Sequence, residues 1–333
     1  MRHLSTRRQF ILATAAGAAG LMLARSASAA QETLELGLQT GGTASWEIDA
    51  MRHLGLLEKQ GIDLAIRPLA DSAAGQVALL GGAVDLILSD LVWVSGQRAR
   101  GAPLLFVPFS LTVGGVLAGK TSGIEDVKGL KGQTIGVGGG PLDKNLVFLK
   151  AYYKQQTGKD LLSEVTPKYG APPLINQLLE RGQVGAALNF WQWNARAVRA
   201  GARQLISVAG MLAEMGVATP PPLLGWTFTE DTAAKKGKTL VAFLNASFDT
   251  KDQLKTNDDL WKSLRDEMNV GSDDGLFIAL RDAYRAGIVT RYDAADTKAA
   301  EAAYALLARF GGAGVVGDAP ALPTAIFWKG FSR

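Results

Sequence analysis

The sequence predicts an α/β protein built from two lobes of similar topology. From Thr33 onward, short apolar runs alternate with stretches of helical periodicity, which is typical of mostly parallel sheets flanked by helices. A shift of 100 residues aligns the chain with itself, so that Gly82 and Trp93 match Gly182 and Trp193. The last third is helical, as expected if the chain crosses to a second lobe and returns to finish the first. A length of 333 residues suggests two domains.

The elements of the first lobe follow from the apolar pattern. The strand at Leu34–Leu38 leads through a glycine turn into an amphipathic helix at Ile48–Gln60, which is expected to stop at Gly61. Further strands are predicted at Ile62–Pro68, Asp85–Leu88, Leu104–Val107 and Val113–Leu117, and further helices at Ala73–Leu80 and Leu91–Arg100.

The second lobe repeats this plan. A strand at Thr134–Val137, a turn at Gly138–Pro141 and a helix at Asp143–Gln156 open it. The tail shows apolar residues every three or four positions, which predicts helices at Asp231–Phe248, Asp258–Met268, Leu276–Gly287 and Asp296–Phe310.

The N-terminus has the features of an export signal. Arg7 and Arg8 precede the short apolar run Phe10–Leu23, and Ala27-Ser28-Ala29 is a small-residue cleavage site. The run is too short for a membrane anchor, since about 20 apolar residues are needed to span a bilayer. We predict a twin-arginine signal peptide over residues 1–29, removed near Ala29/Ala30, and a mature protein that works in the periplasm.

Composition excludes several classes of function. The chain has no cysteine, which removes thiolate nucleophiles, Cys-ligated zinc and iron–sulfur clusters. The formal charge of +4 comes from the four arginines of the first 29 residues, because 35 basic side chains minus these four equals the 31 acidic ones. The mature chain therefore has no bulk attraction to nucleic acid.

Two nucleotide-binding patterns occur in the sequence, but neither meets all the requirements of its motif. Gly114–Thr121 satisfies the P-loop pattern, but no apolar-periodic helix begins at Lys120, where phosphate binding requires a helix N-terminus. Gly136, Gly138 and Gly140 suggest a dinucleotide fingerprint, yet its third glycine falls on Pro141. No cofactor is expected, and the glycines can still expose backbone N–H groups to another ligand.

Residues suited to catalysis are few. His53 is the only histidine after residue 29, and no G-x-S-x-G elbow exists, so a Ser–His–Asp hydrolase or a two-histidine metal site is excluded. Carboxylate chemistry stays open, but helix capping is the simpler explanation for Asp71 and Asp143. The acidic residues near predicted strand ends are Glu47, Asp49, Asp71, Asp90 and Asp143.

The strongest functional signal is a set of loops at the carboxyl ends of strands. In open α/β sheets ligands bind at that edge, and polar groups beside aromatic walls describe a small-molecule pocket. We expect Trp46 and Trp191 to line this pocket, and Trp93 and Trp193 to be buried in helices. The candidate ligand-binding residues are Gln39, Thr43, Trp46, Asp71, Ser72, Ser89, Asp90, Gly139, Gly140, Asp143, Asn189 and Trp191.

Four stretches, taken in order, resemble one known family. They are Gly42-Thr43-Ala44, the helix end Leu56–Ile62, Ala83-Val84-Asp85 and Gly129–Val137. Together they resemble the nitrate/sulfonate/taurine-type substrate-binding proteins of ABC transporters, which include relatives for pyrimidine thiamin precursors. The order of elements matches this family over nearly the whole mature chain.

The resemblance implies a type II periplasmic-binding-protein fold that closes around its ligand. Two strands would cross between lobes near Pro108–Thr112 and Val217–Trp226, so that residues 30–109 and 225–333 form lobe 1 and residues 110–224 form lobe 2. The implied role is non-enzymatic: a monomer that delivers a small-molecule solute to an inner-membrane permease and its ATPase.

The ligand and two rival functions stay open. Among the predicted loops at the carboxyl ends of the strands, Lys144 is the only basic residue. We therefore favour an organic solute, sulfonate-, taurine-, nitrate- or pyrimidine-like, over a simple inorganic anion. The cysteine-rich motif of related pyrimidine-synthesising enzymes is absent. The rivals are a periplasmic enzyme with Asp71 or Asp90 as its base, and a sensory protein that docks a kinase or chemoreceptor.

Overall fold

The computed structural model describes residues 32–333 as two five-stranded sheets flanked by helices. The predicted fold class, two α/β lobes joined by crossing strands, is therefore confirmed. The predicted signal peptide lies outside the described residues. Within them, no helix combines the length and apolar character that a bilayer span requires.

The first sheet holds four strands in one direction and one in the opposite direction. Strand β1 pairs in parallel with β2 and β3, whereas β10 is antiparallel to both of its neighbours, β3 and β4. The spatial order is β2-β1-β3-β10-β4. The strands are β1 Thr33–Gln39, β2 Asp63–Leu69, β3 Leu86–Asp90, β4 Leu104–Ser110 and β10 Leu224–Thr229.

The second sheet repeats this topology. Its order is β7-β6-β8-β5-β9, and β5 is the antiparallel strand, between β8 and β9. Each sheet thus receives its antiparallel strand from chain that arrives from the other sheet, with β5 following β4 and β10 following β9. The strands are β5 Gly114–Ala118, β6 Thr134–Gly138, β7 Thr166–Gly170, β8 Ala186–Phe190 and β9 Arg203–Ser207. Lobe boundaries at residues 110 and 225 stay a prediction.

Fourteen α-helices connect and cover the strands in residues 32–333. They are α1 Ala44–His53, α2 Leu56–Lys59, α3 Ser72–Leu80, α4 Leu91–Ala99, α5 Lys144–Thr157, α6 Leu161–Glu164, α7 Pro172–Glu180, α8 Trp191–Arg199, α9 Val208–Glu214, α10 Glu230–Thr256, α11 Asp258–Ser263, α12 Asp274–Ala286, α13 Ala294–Gly311 and α14 Ala313–Val316.

Three predicted helices have boundaries that differ from the structure by more than two residues. The helix expected at Asp258–Met268 ends at Ser263. The helix expected at Ile48–Gln60 is two helices, because Gly55 adopts the left-handed region at φ 62° and ends the first one. The helix expected to end at Phe248 continues to Thr256, since Lys251 and Leu254 extend its buried face.

The 100-residue repeat corresponds to a structural repeat. Helices α4 and α8 are both nine residues long and start 100 residues apart, directly after the equivalent strands β3 and β8. Gly82 and Gly182 have φ of 68° and 66°, a conformation that glycine adopts without a steric penalty. The aligned glycines therefore mark equivalent turns after helices α3 and α7.

A buried ion pair joins the start of the chain to its helical tail. Glu47 in α1 and Lys251 in α10 lie 2.8 Å apart, with 0% and 1% of their side chains exposed. Ser247 and Tyr284 donate hydrogen bonds to the same carboxylate, at 2.5 and 3.0 Å. The indole of Trp226 donates to Ser247 at 3.2 Å, so the network links α1, α10, α12 and β10.

Burial also shifts the pKa values of this network. Removal from water lowers the pKa of Lys251, although the charge of Glu47 opposes that shift. The same burial, together with the nearby carboxylate, raises the pKa of Tyr284 well above 10.0. The network therefore contains a neutral phenol that donates to a carboxylate.

The strand crossings depend on close backbone approaches. Gly114 opens β5 at φ 149°, and a side chain there would overlap the carbonyl oxygen of Asn189. Gly287 follows α12 and touches the first crossing, because the backbone N–H of Leu111 donates to its carbonyl at 2.9 Å. A side chain at Gly287 would overlap Thr112.

Substituting Gly114 should destabilise the fold. Alanine there must leave the observed conformation or push back the Asn189 carbonyl, so we expect Gly114→Ala to lower the free energy of unfolding by about 1–3 kcal/mol. The matched control is Gly237→Ala in α10, where a methyl group meets nothing within 4 Å and should add up to about 1 kcal/mol. Urea denaturation measures both, and equal stabilities would contradict the strained crossing.

Breaking the buried ion pair should cost more than breaking an exposed one. Lys251→Met leaves the carboxylate of Glu47 buried without its counter-charge, and we expect a loss of about 3–5 kcal/mol. Lys235→Met is the control, because Lys235 pairs with Asp231 at 2.8 Å with both side chains about two-thirds exposed, and such pairs contribute about 0–1 kcal/mol. In chemical denaturation, the double variant Glu47→Gln/Lys251→Met should lose less than the two single losses combined.

Candidate functional site

Two helix starts, one from each sheet, border a common cavity. Asp90 ends β3 and caps α4, where its Oδ1 accepts hydrogen bonds from the N–H groups of Val92 and Trp93 at 3.0 Å each. Asp143 follows the glycine turn after β6 and caps α5, where its Oδ1 accepts from the N–H of Asn145 at 2.8 Å. Both carboxylates were predicted site residues, and the fold brings them together.

This interlobe cavity has a volume of about 360 Å³, in the range of small-molecule sites. Its walls come from α3 and α4 of the first sheet, from the start of α5 and from the C-terminal helix α14. It is lined by Gln76, Asp90, Val92, Trp93, Gly96, Arg100, Leu142, Asp143, Lys144, Val315, Val316 and Gly317.

The cavity contains both signs of charge. Asp90 and Asp143 are accompanied by Lys144 and Arg100, whose guanidinium lies 3.7 Å from Asp318 at the rim. Burial raises the pKa of Asp143, and the charge of Asp90 adds to that rise, while Lys144 and the capping N–H groups oppose it. A positively charged or N–H-bearing ligand group would therefore stabilise the carboxylate form of Asp143.

Each capping carboxylate has one oxygen free. Within residues 32–333 neither Oδ2 of Asp90 nor Oδ2 of Asp143 makes a hydrogen bond or an ion pair. Gly139 has a φ of 111°, and a methyl group there would lie 3.3 Å from Oδ2 of Asp143, so glycine keeps that oxygen uncrowded.

Two buried polar atoms flank the capping residues and have no partner in the described part of the chain. They are Oγ of Ser89, 4% exposed, and Oδ1 of Asn145, 2% exposed. A buried polar atom without a hydrogen bond costs about 1–3 kcal/mol, so native structures keep few of them. Although they adjoin Asp90 and Asp143 in the sequence, neither Ser89, a predicted site residue, nor Asn145 lines the interlobe cavity.

Four predicted residues lie at the ends of β1, α1 and α3 and do not line the interlobe cavity. Gln39, Asp71 and Ser72 are exposed, and Thr43 is half-buried at the start of α1. Asp71 accepts a hydrogen bond from the N–H of Ala74 at 2.8 Å, so it caps α3. Gly140 is half-buried in the turn before Asp143. A ligand contact for these residues stays a prediction.

Asn189 uses its amide within the protein. Its Nδ2 donates to Oδ1 of Asn176 and to the carbonyl of Pro172, both at 2.9 Å, and its Oδ1 accepts from the N–H of Phe190 at 2.9 Å. With 1% of its surface exposed, it braces the starts of α7 and α8.

Trp46 and Trp191 belong to an aromatic cluster with Trp261 and Tyr284. The ring centroids of Trp46 and Trp191 are 5.9 Å apart, edge to face, and each lies 6.1 Å from Tyr284. The indole N–H of Trp46 donates to the carbonyl of Glu267 at 3.1 Å, and Trp46 is buried. Trp191 is half-buried and lines a second cavity instead.

Sequence reasoning missed most of the residues that line the interlobe cavity, and Trp93 and Arg100 are two of them. Trp93 was expected in the core, but it is half-buried and forms a wall of the interlobe cavity. Helical spacing could have identified these residues, because positions 93, 96 and 100 share one face with Asp90. No local signal marks Val315–Gly317, which reach the site through the tertiary fold.

The site offers no evident metal centre. Among residues 32–333 no group of three or more His, Asp or Glu side chains is arranged to hold a metal ion. The four charged side chains and the free carboxylate oxygens are instead suited to hydrogen bonds and ion pairs with a small polar ligand.

Comparisons with known proteins add a family and a fold. The family described as NMT1/THI5 like matches residues 50–257, more than half of the chain. A search of the curated proteins finds no match.

Solved structures resemble the chain over nearly all of its length. The alkanesulfonate-binding protein SsuA from Xanthomonas axonopodis pv. citri, bound to MOPS, is 18% identical, with a TM-score of 0.68 over 90% of this chain and 99% of that one. The periplasmic aliphatic sulphonate binding protein SsuA from Escherichia coli is also 18% identical, with a TM-score of 0.68 over 90% and 92%. An ABC transporter structure from Parabacteroides distasonis is 13% identical, with a TM-score of 0.68 over 89% and 99%. These similarities show the fold.

Removing the charge of Asp143 should stabilise the protein at neutral pH. The pKa of this carboxyl is raised above 3.8 in the folded protein, so stability is lost as the pH rises and the buried group ionises. Asparagine keeps the cap without the charge, and we expect Asp143→Asn to raise the melting temperature at pH 7, with a gain that shrinks toward zero below pH 3.8. Thermal unfolding across pH checks this.

The control for this variant is Asp160→Asn, which changes an exposed cap of α6 that accepts from the N–H of Leu162 at 2.9 Å. Its melting temperature should stay close to that of the wild type. A lower melting temperature for Asp143→Asn at pH 7 would contradict the burial cost.

Proposed function

The chain belongs to the NMT1/THI5-like family, and on that premise we propose that it is the solute-binding component of an ABC importer. In this proposal it is exported to the periplasm by its twin-arginine signal and captures a small organic solute in the interlobe cavity. It then delivers the solute, as a monomer, to an inner-membrane permease with its ATPase. Proteins named as sulfonate-binding components share its fold.

The observation that carries this proposal is the placement of the interlobe cavity. Its charged groups come in two sets from the two sheets, Asp90 and Arg100 from one and Asp143 and Lys144 from the other. A solute that bonds to both sets links the lobes, so binding favours their closure, and a permease can recognise the closed complex.

The chemistry of the walls supports one class of solute. Two carboxylates balance two cations, so a bare inorganic anion would gain little net attraction. A better fit is an organic solute with N–H or O–H groups for Asp90 and Asp143, and an anionic or acceptor group for Lys144. Amino-sulfonates of the taurine type and aminopyrimidines meet both conditions, and Trp93 and Leu142 offer apolar contact to their bodies.

The first experiment is a thermal-shift screen of the purified protein against sulfonates, taurine, nitrate, pyrimidines, thiamin precursors and simple amines. A ligand at 100 times its Kd adds about 2.7 kcal/mol of stability, which is readily visible as a raised melting temperature. The hit is then incubated with the protein and recovered for mass spectrometry. Unchanged solute at 1:1 stoichiometry supports a receptor, whereas conversion to product would favour a carboxylate-based enzyme.

Substituting Lys144 tests the site itself. Hydrogen bonds to charged groups contribute about 1.5–3 kcal/mol, so we expect Lys144→Met to weaken binding of the identified solute about 10- to 100-fold. Lys154→Met is the matched control, because Lys154 is exposed on the same helix α5, outside the cavity. Calorimetric titration measures both, and equal affinities would place the solute elsewhere.

A further inference from the structure

A second cavity lies beside the strand crossing. It has a volume of about 450 Å³ and is bordered by the crossing residues 111–114, by Pro220 and by facing sides of α8 and α12. This crossing cavity shares no lining residue with the interlobe cavity. It is therefore a separate space and not an extension of the proposed solute site.

The crossing cavity is uncharged, in contrast to the interlobe cavity. Within residues 32–333 no Asp, Glu, Lys or Arg lines it, and its walls are mainly aliphatic or aromatic, with Val113, Trp191 and Ala283 among them. Of its polar residues, Ser207 already accepts a hydrogen bond from the N–H of Gly210 at 2.9 Å as the cap of α9. Such walls favour neutral, largely apolar molecules.

Asn194 provides the specific polar group. It lines the cavity, is 4% exposed, and its Nδ2 donates to the carbonyl of Gly115 at 3.1 Å, which fixes the orientation of the amide. Its Oδ1 is buried and has no partner in the described part of the chain. A carbonyl oxygen only accepts hydrogen bonds, so its partner must carry an O–H or N–H group.

We propose that the crossing cavity is a second small-molecule site, which takes a neutral, largely apolar molecule with one O–H or N–H donor. The apolar body lies against Val113, Trp191 and Ala283, and the donor bonds to Oδ1 of Asn194. Burial of apolar surface supplies the affinity, and Asn194 supplies the selection for donors.

A molecule bound at this site favours one relative arrangement of the two lobes. Helix α8 belongs to the second sheet, whereas α12 is tied to the first through the hydrogen bond from Tyr284 to Glu47 at 3.0 Å. A molecule held between α8 and α12 therefore favours the arrangement in which these walls face each other. Any solute that prefers the same arrangement is coupled to it thermodynamically.

The test compares 2-naphthol with 2-methoxynaphthalene, which has the same aromatic body without the O–H donor. Each probe is titrated into the full protein, and binding is followed by the NMR resonances of the Trp191 indole and the Asn194 side-chain amide. We expect saturable shifts of both resonances with 2-naphthol and at least tenfold weaker binding of the ether.

Variants assign the site. Ala283→Trp fills the cavity and should weaken 2-naphthol at least tenfold, whereas Ile278→Trp, on the exposed side of the same helix, should not change its affinity. Asn194→Ala should remove the preference for 2-naphthol over the ether. Melting curves verify that each variant folds. Because several variants test the site, the assignment does not depend on any single substitution.

Three outcomes would overturn the proposal. They are no shift at Trp191 up to the solubility limit of 2-naphthol, unchanged affinity in the folded Ala283→Trp variant, and loss of 2-naphthol binding in Lys144→Met, which would place the probe in the interlobe cavity. The test uses no periplasmic solute, so its result is independent of the proposed transport function.

Discussion

The buried ion pair between Glu47 and Lys251 governs how the two ends of the chain meet. Two charges removed from water are tolerated only as partners, and each would cost several kcal/mol alone. Since the partners are 204 residues apart, the helical tail must return to α1 for either to be satisfied. Tyr284 then brings α12 to the same carboxylate, and the aromatic cluster around Trp46 packs over this junction.

The strand crossings also connect distant parts of the chain. Each sheet accepts an antiparallel strand from chain arriving from the other sheet, and hydrogen bonds to two neighbouring strands hold that strand in place. The close approach at Gly114 places β5 directly against β8. Helix α4 starts at the carboxyl end of β3, and α5 starts after the turn that follows β6. The capping carboxylates of the interlobe cavity are a consequence of this topology, as is the uncharged space beside the crossing.

The two proposed ligand sites differ in charge. The interlobe cavity is lined by Asp90, Asp143, Lys144 and Arg100. The crossing cavity has mainly apolar walls and a carbonyl oxygen, on Asn194, that has no partner among residues 32–333. Membership of the NMT1/THI5-like family supports the proposed role in solute binding.

Local interactions explain what the sequence by itself determined: the α/β class, the repeat of 100 residues, and the caps at Asp71 and Asp143. Periodicity, glycine turns and helix capping all act between near neighbours along the chain. Only the tertiary structure decided which polar groups remain free. Asn189 donates its amide N–H groups to Pro172 and Asn176, whereas the hydroxyl of Ser89 has no partner among residues 32–333. Val315–Gly317 reach the interlobe cavity from the far end of the chain. Hydrogen-bond satisfaction depends on contacts between distant segments, and local pattern carries no record of them.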